Sequence, residues 1–238
     1  MILNPYRFSG GAAQYSRDFD GTDDYVSIPD FAHSLSNLSC MCWVKSSDSA
    51  FQSFFSHWDT AANRSWLMQL DGTDGLLCAI RQGGGSGYKI YYTPDAQDTV
   101  ADGTWHHVGF TFSNNDFRLY IDGLRVPAGR ISNFGDDTIA SLRNSTADIL
   151  IGADIASSVP VNFVDSSIAD CRIYDETLTE ANMTTIYNGD AFSETNLVGR
   201  WITGDDEGSG SVTVFDQSAN SNDGTSVGSL SVADYPPI

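Results

Sequence analysis

Carboxylates are the groups in this sequence with the clearest capacity to bind a metal ion. Asp20, Asp23 and Asp24 lie within five residues of one another, Asp170 lies within an apolar run, and a polar loop spans Asp216–Gly224. Ca²⁺ prefers hard oxygen ligands from carboxylates, amides and backbone carbonyls. These groups therefore predict a calcium site, with a structural role because no nucleophile or general base lies near them. The alternative is that Asp20 and Asp24 end a turn and that Asp170 pairs with an arginine.

The sequence lacks the acid pattern of a glycoside-cleaving enzyme. Such enzymes hold two carboxyl groups about 5–5.5 Å apart for retention of configuration, or about 6.5–9.5 Å apart for inversion. No E-x-D-x-E or equivalent pattern occurs, and the glutamates lie at a helix entry or in polar loops: Glu176, Glu180, Glu194 and Glu207. We therefore expect no enzymatic activity, and glycoside hydrolase or polysaccharide lyase is the least favoured function.

Aromatic residues beside polar loops suggest a saccharide site. Sugar binding commonly combines the faces of Trp or Tyr with polar side chains that bind hydroxyl groups. Aromatic residues cluster near the loops 59–64 and 81–87, and the candidate ligand-binding residues there are Trp58, Arg81, Tyr91 and Tyr92. Because side chains alternate along a strand, one of the two adjacent tyrosines points outward. The alternative is that these aromatic side chains belong to the core.

The histidines and the glycine-rich segment give weaker signals. His106 and His107 are adjacent in a predicted strand, so they point to opposite faces and cannot chelate one metal ion together. A ligand or catalytic role for the histidines, which also include His33 and His57, is the less favoured interpretation. The segment 82–87 lies between two strands, whereas a phosphate cradle needs a helix N-terminus, so it predicts a hairpin tip.

The net charge restricts the classes of partner. The sequence has 31 acidic and 12 basic side chains, for a formal net charge of −19. This charge repels nucleic acid and anionic membranes and attracts divalent cations. We expect no nucleic-acid partner, and no membrane insertion because no apolar run approaches ~20 residues. A soluble marine or halotolerant surface is the alternative explanation of the charge.

The four cysteines predict free thiols. Cys40, Cys42, Cys78 and Cys171 all lie within apolar runs, where cysteine usually behaves as a small buried hydrophobe. Cys40 and Cys42 are two apart in a strand, which is poor geometry for a mutual disulfide. These features favour folding in a reducing compartment.

Short strand-like runs that alternate with turns predict an all-β sandwich. The hairpin Trp105–Phe112 and Phe117–Ile121, joined by a Ser-Asn-Asn-Asp turn, is the clearest of them. Aspartate accounts for 27 of the 31 acids, which also favours turns over helices. The one clear helix is 180–188, with Thr179 as its N-cap and Gly189 in position for a left-handed C-cap.

Several motifs together resemble the laminin-G-like, concanavalin A-like jelly-roll family. They are Trp105–Val108 with Leu119–Gly123, Phe19–Val26, Ile168–Tyr174, and Leu197–Trp201 with Asp216–Thr225. Their order is circularly permuted, because the segment that usually opens the family fold comes last. The resemblance implies a concanavalin A-like jelly-roll sandwich of two antiparallel sheets with one short helix. We expect a single domain over residues 15–238, preceded by an N-terminal arm over residues 1–14.

The resemblance also implies a set of metal ligands and a function. Related sandwiches often hold a structural calcium ion, which by this resemblance would be bound by Asp170, Asp20 and a carbonyl near Gly224. The favoured function is a noncatalytic structural protein of a virion or other assembly, of decoration or fibre type, that binds surface glycans. The alternative is a free-standing calcium-dependent carbohydrate-binding module.

The arm is the basis of the assembly interpretation. It combines Ile2, Leu3, Tyr6 and Phe8 with a Gly-Gly pair, and it resembles the opening of many tailed-phage structural proteins. Its apolar side chains need a surface to be buried against, so other virion or assembly subunits are the expected partners and a homo-oligomer is expected. No apolar signal core is present. The expected location is the virion surface, after synthesis in the host cytoplasm, with an extracellular location as the alternative.

Overall fold

The computed structural model describes residues 16–60, 62–72, 75–85, 87–93, 100–127, 131–134, 138–203 and 213–236. The predicted arm, residues 1–14, lies outside the described residues. In chain order the first strands are β1 (Ser16–Asp20), β2 (Tyr25–Ile28), β3 (Asn37–Ser46), β4 (Ser53–His57), β5 (Trp66–Leu70), β6 (Leu76–Arg81), β7 (Tyr88–Tyr92), β8 (Trp105–Ser113), β9 (Asp116–Ile121) and β10 (Leu124–Arg125). They are followed by β11 (Ile131–Phe134), β12 (Ile149–Ile151), β13 (Asp154–Ala156), β14 (Val159–Val161), β15 (Asp165–Tyr174), the helix α1 (Glu180–Tyr187), β16 (Leu197–Trp201), β17 (Thr213–Val214), β18 (Gly224–Val227) and β19 (Ser231–Ala233).

Within the described residues the strands form two large antiparallel sheets. The eight-stranded sheet has the order β10-β9-β8-β3-β15-β1-β19, and β16 also pairs with β15. The nine-stranded sheet has the order β11-β7-β6-β5-β4-β12-β2-β18-β17, and β13 pairs only with β14. This arrangement confirms the predicted jelly-roll sandwich with one short helix.

The core lies between the two sheets and is rich in aromatic rings. Trp66 of the nine-stranded sheet contacts Phe110 of the eight-stranded sheet, with ring centres 5.9 Å apart. Phe55 contacts both Trp66 and Trp201, at 5.0 and 6.1 Å. The four cysteines are buried and unpaired, as expected. Burial of these apolar faces supplies the main stabilisation of the sandwich.

The hairpin of β8 and β9 folds as its sequence predicts. Asn114 and Asn115 form its turn with φ of +36° and +74°, a left-handed region that asparagine tolerates better than most residues. The next turn contains Gly123, at φ +76°, where an added Cβ would lie 2.8 Å from the Cα of Thr184 in α1. Glycine therefore allows the helix to approach this hairpin closely.

The helix begins with the predicted Thr179 cap, whose side chain accepts a hydrogen bond from the Asn182 backbone N–H. No helix within the described ranges has the length and apolar character needed to cross a membrane.

Strand β15 joins the two ends of the permuted sequence. Its first half pairs with β1, through Asp165 to Ile168, and its second half pairs with β16, through Cys171 to Tyr174. Strands β1 and β16 therefore pair with successive parts of β15. Leu197–Trp201 and the first described strand therefore belong to one sheet, as the circularly permuted order of the motifs implies.

A buried cluster of charges lies where β15 changes partner. Asp170 adopts φ +46° within an irregularity of the pairing with β3. Its carboxylate is 2% exposed and accepts hydrogen bonds from both Arg172 and Arg200, with Oδ1 at 3.0 and 2.7 Å from their Nε atoms. Burial would raise the pKa of Asp170, but the two guanidinium groups outweigh it and hold the pKa well below its usual range. We call these three residues the Asp170 clamp.

We expect Asp170→Asn to lower the free energy of unfolding by about 3–5 kcal/mol at pH 7, because it leaves two buried guanidinium groups without their counter-charge. Since the pKa is depressed in the folded state, this stabilisation is present above pH ~4 and is lost as the pH falls further. Urea unfolding of both proteins at pH 7 and at lower pH measures the difference.

Asp116→Asn is the matched control, because Asp116 also pairs with an arginine two residues later but both side chains are exposed. Its effect should stay below about 1 kcal/mol. Equal effects of the two substitutions would contradict a stabilising role for the clamp.

Candidate functional site

The residues that could bind a ligand lie where several strands of the nine-stranded sheet end or begin. Because neighbouring strands run antiparallel, β2, β4 and β6 end on this side of the sheet and β5, β7 and β12 begin there. The pairs Arg81–Tyr88, His57–Trp66 and Ile28–Ile149 mark it in the register. We call it the loop end.

Trp58 and Arg64 lie on the loop that joins β4 to β5. The Cζ atom of Arg64 lies 5.2 Å from the centre of the Trp58 ring, within the range of a cation–π contact. The Nε of Arg64 donates a weak hydrogen bond to the Asp59 carbonyl at 3.3 Å. Trp58 is half-buried against an apolar patch on the outer face of the sheet, formed by Leu67, Leu77, Ala79, Ile90 and Tyr92. The loop thus presents an aromatic ring and a cation together.

Arg81 and Tyr88 repeat this pairing across the turn between β6 and β7. The Cζ of Arg81 lies 5.4 Å from the centre of the Tyr88 ring. Arg143 lies beside them, because its backbone N–H donates to the Arg81 carbonyl at 2.9 Å. Its guanidinium donates to the carbonyls of Ala62 and Gly85, which joins the 58–65 loop to the turn. Three arginines therefore converge at the loop end.

These arginines differ from Arg172 and Arg200, which form ion pairs in the Asp170 clamp. In the part of the chain that is described, no carboxylate lies within ion-pair distance of Arg64, Arg81 or Arg143. Burial, followed by the positive charges of Arg143 and Arg64, lowers the pKa of Arg81. The charge of Arg64 also acts on Asp154, whose pKa is raised by burial to about 6. An acidic chain thus holds a local cationic surface.

The predicted ligand-binding residues are divided between the surface and the core. Trp58 and Arg81 both lie at the loop end, and Tyr92 lies on the same outer face at the far end of β7. Tyr91 is a correction, because it is 3% exposed and its ring packs edge-on against Phe117 in the core. Alternation along β7 explains this result, since it sends the side chains of Tyr91 and Tyr92 to opposite faces.

The sequence-based prediction did not include Arg64, Tyr88 or Arg143 among the ligand-binding residues. Tyr88 belongs to the aromatic run beside the glycine-rich turn, which was the available signal. Arg143 joins the site only through pairing of distant segments, such as the bridge between Gln82 and Leu142. No local pattern in the sequence indicates that contact.

The predicted calcium ligands are not brought together. Asp170 is a correction, because its two oxygens accept from Arg172 and Arg200, as in the alternative interpretation. Gly224 is also a correction, because β18 pairs Val227 with Tyr25 and Thr225 with Ser27, which places Gly224 at the end of β18 away from the turn of Asp20 and Asp24. Asp20 lies at the end of β1, in the other sheet.

Asp20 instead joins Asp23 and Asp24, and one oxygen from each of the three carboxylates lies within 4.8 Å of the others. Asp24 is buried and accepts from the backbone N–H groups of Asp20 and Ser229, at 3.1 and 2.6 Å. Asp20 accepts from the Thr22 N–H at 2.8 Å, so the group also stabilises a turn. The group borders a cavity of about 690 Å³ that is also lined by Asp18, Asp165 and Asp234. Its oxygen donors fit the ligand preference of Ca²⁺.

Known structures share this fold at low sequence identity. A candidate carbohydrate-binding protein from Bacteroides ovatus has a TM-score of 0.66 and 13% identity, over 94% of this chain and 60% of its own. The chain thus spans about 60% of the length of that protein. A heptameric SAP-like pentraxin from Limulus polyphemus has a TM-score of 0.59 and 14% identity, over 94% and 96% of the two chains. The CBM40 of a Ruminococcus gnavus IT-sialidase, bound to α2,3-sialyllactose, has a TM-score of 0.53 and 11% identity, over 74% and 100%.

A family comparison covers most of the sequence. Residues 20–184 match Laminin_G_3, described as the concanavalin A-like lectin/glucanases superfamily. The matched range runs from the Asp20 turn to the helix α1 and includes the loop end. The chain therefore belongs to the Laminin_G_3 family of concanavalin A-like sandwiches.

Proposed function

We propose that this protein is a noncatalytic glycan-binding domain that binds acidic saccharides at the loop end. The observation that carries the proposal is the convergence of Arg64, Arg81 and Arg143 beside Trp58 and Tyr88, in a chain with a net charge of −19. A site that concentrates cations on an acidic protein favours an anionic ligand, and aromatic rings favour the apolar faces of sugars.

The chemistry of the side chains supports a carboxylate or sulfate group on the saccharide. Guanidinium groups bind oxyanions through paired N–H donors, and these hydrogen bonds are stronger than those between neutral groups. The Nε of Arg81 and the Nε of Arg143 are buried without a hydrogen-bond partner among the described residues. Because these two nitrogen atoms are covered, an anionic sugar would bind the outer N–H groups of the half-buried Arg64 and Arg81.

The comparisons agree with this proposal at the level of the fold. The Bacteroides ovatus protein is described as a candidate carbohydrate binder, and the Ruminococcus gnavus module is bound to α2,3-sialyllactose, an acidic saccharide. Their identity to this chain is 13% and 11%, so the argument for the ligand depends on the side chains of the loop end.

The acids nearest the proposed site favour binding without catalysis. Asp59 accepts from the Ser158 backbone N–H at 2.9 Å, and Asp154 accepts from the Asn162 side chain at 2.9 Å. They are 7% and 5% exposed, so both lie behind the surface. A pair of carboxyl groups facing the proposed saccharide surface, as glycoside cleavage requires, is not formed by these two residues.

A calcium ion at Asp20, Asp23 and Asp24 is the second part of the proposal. The three carboxylates supply oxygen ligands and a concentrated negative charge next to the 690 Å³ cavity. The ion would hold the turn between β1 and β2 and would have a structural role.

Assembly into a virion or another particle is a second candidate function. Val232 in β19, the edge strand next to β1, and Tyr235, which follows that strand, are each 56% exposed. Exposed apolar residues at a sheet edge favour contact with another subunit.

The glycan proposal predicts binding on an array of neutral, sialylated and sulfated saccharides, with signals confined to the acidic ones. Arg81→Ala and Trp58→Ala should each weaken binding to the best acidic saccharide by about tenfold or more in calorimetric titrations, because charge-assisted and stacking contacts are lost.

Arg125→Ala is the matched control, since Arg125 is an exposed arginine on the opposite sheet. It should bind like the wild type. Preference for neutral saccharides would contradict the acidic specificity, and binding that is unchanged by both loop-end substitutions would place the site elsewhere.

The calcium proposal predicts that Ca²⁺ raises the melting temperature of the wild-type protein, because a ligand bound only by the folded state stabilises it. Asp23→Asn should reduce this response, and the exposed residue Asp23 can be changed without removing the backbone hydrogen bonds of Asp20 and Asp24. Asp116→Asn, on the eight-stranded sheet, should keep the full response. Identical melting curves in calcium and in chelator would rule the ion out.

A further inference from the structure

Two histidines and an aspartate converge at the loop end, apart from the arginines. Asp30 and His33 lie in the segment that follows β2, and His57 is the last residue of β4. One ligand atom from each side chain lies within 4.8 Å of the other two. The rings of His33 and His57 have centres 5.2 Å apart. The residues are distant in sequence, so the fold alone creates this group.

Three of the four imidazole nitrogens of this group lack hydrogen-bond partners among the described residues. His57 is 0% exposed, and both of its ring nitrogens are buried without a partner among the described residues. The backbone of Ala147 lies near the His57 ring, but without the geometry of a hydrogen bond. His33 donates or accepts through Nδ1 with the Phe31 carbonyl at 3.0 Å, and its Nε2 is buried and unpartnered. Buried polar atoms are normally satisfied, so the unpaired Nε2 of His57, which lies 3.4 Å from the Oδ1 of Asp30, favours a bound ligand at this position.

The spacing of the ligand atoms fits a tetrahedral metal ion. Zinc binds imidazole nitrogen and carboxylate oxygen at about 2.0–2.2 Å, which places two ligands of a tetrahedron about 3.3–3.5 Å apart. The Nε2 of His57 lies 3.4 Å from the Oδ1 of Asp30. That distance is long for a hydrogen bond but correct for two ligands of one ion.

Access to the group also suits a metal ion. The Asp30 side chain is 32% exposed, which leaves a path from solvent. Asp148 places a second negative charge near Asp30.

We propose that Asp30, His33 and His57 form a binding site for Zn²⁺ or a similar transition-metal ion, with solvent supplying the remaining ligand. The ion would join the segment after β2 to the end of β4. It would thereby fix the loop end beside Trp58, the next residue after His57. Nitrogen ligands distinguish this site from the all-oxygen group at Asp20, because Ca²⁺ prefers oxygen.

The test uses the full chain. A chelator first removes bound metal, and the chelator itself is then removed. The protein is titrated with Zn²⁺ in the absence of saccharide. We expect one Zn²⁺ per chain by calorimetry and a rise in melting temperature. Bound Co²⁺ should give the visible absorption bands of a tetrahedral site. Asp30→Asn and His33→Ala should each weaken Zn²⁺ binding by more than about tenfold, because even residues that only orient a metal ligand have effects of 10–100-fold.

His106→Ala is the matched control, because His106 also contacts aspartates, at 2.9 and 3.3 Å from Asp122 and Asp102, but lies in the other sheet. It should bind Zn²⁺ like the wild type. His57 is fully buried and its removal could unfold the chain, so the exposed Asp30 is the primary variant, and near-UV circular dichroism checks its fold. Absence of Zn²⁺ binding by the wild type, or undiminished binding by both variants, would overturn the proposal.

Discussion

The Asp170 clamp is the interaction on which the rest of the structure depends. It fixes Arg200 of β16 and Arg172 of β15 at the point where β15 changes partner from β1 to β16. Trp201 of β16 lies in the core, where its ring centre is 6.1 Å from that of Phe31. Phe31 is two residues before His33, a ligand of the proposed zinc site. A buried ion pair is strongly destabilising to break, since each remaining charge loses its partner in a medium of low polarity. The clamp therefore links the pairing of β15 with β16 to the segment after β2, which lies at the loop end.

The loop end contrasts with the acidic remainder of the protein. Three arginines lie there with two aromatic rings, and the backbone of β4 to β7 holds them in place. The overall field of a chain with net charge −19 attracts cations and repels anions, so an anionic ligand must approach the loop end against that field. Short-range contacts at the loop end would overcome that repulsion, and we expect salt to assist binding by screening the long-range field. The proposed zinc site would support the same edge from its other side.

The sequence was sufficient for the fold but not for the sites. Turn residues and alternation predicted the β8–β9 hairpin, the helix cap and the outward direction of one of Tyr91 and Tyr92, because these features depend on neighbours along the chain. The partner of Asp170 is Arg200, thirty residues away, and the contact between His33 and His57 requires the segment after β2 to lie against the end of β4. Such contacts depend on sheet register, which no local pattern specifies. The resemblance to the family located the strand of Asp170 correctly but assigned the wrong chemistry to its carboxylate.

Nuclear magnetic resonance of the tryptophan indole N–H groups tests the central claim most directly. The chain has five tryptophans, and Trp58 lies at the loop end, whereas Trp201 is buried in the core and Trp43 packs against Tyr187 of α1. During titration with a sialylated or sulfated saccharide, the account predicts a progressive shift of the Trp58 signal and constant signals from Trp201 and Trp43. A constant Trp58 signal under saturation by the saccharide would contradict glycan binding at the loop end.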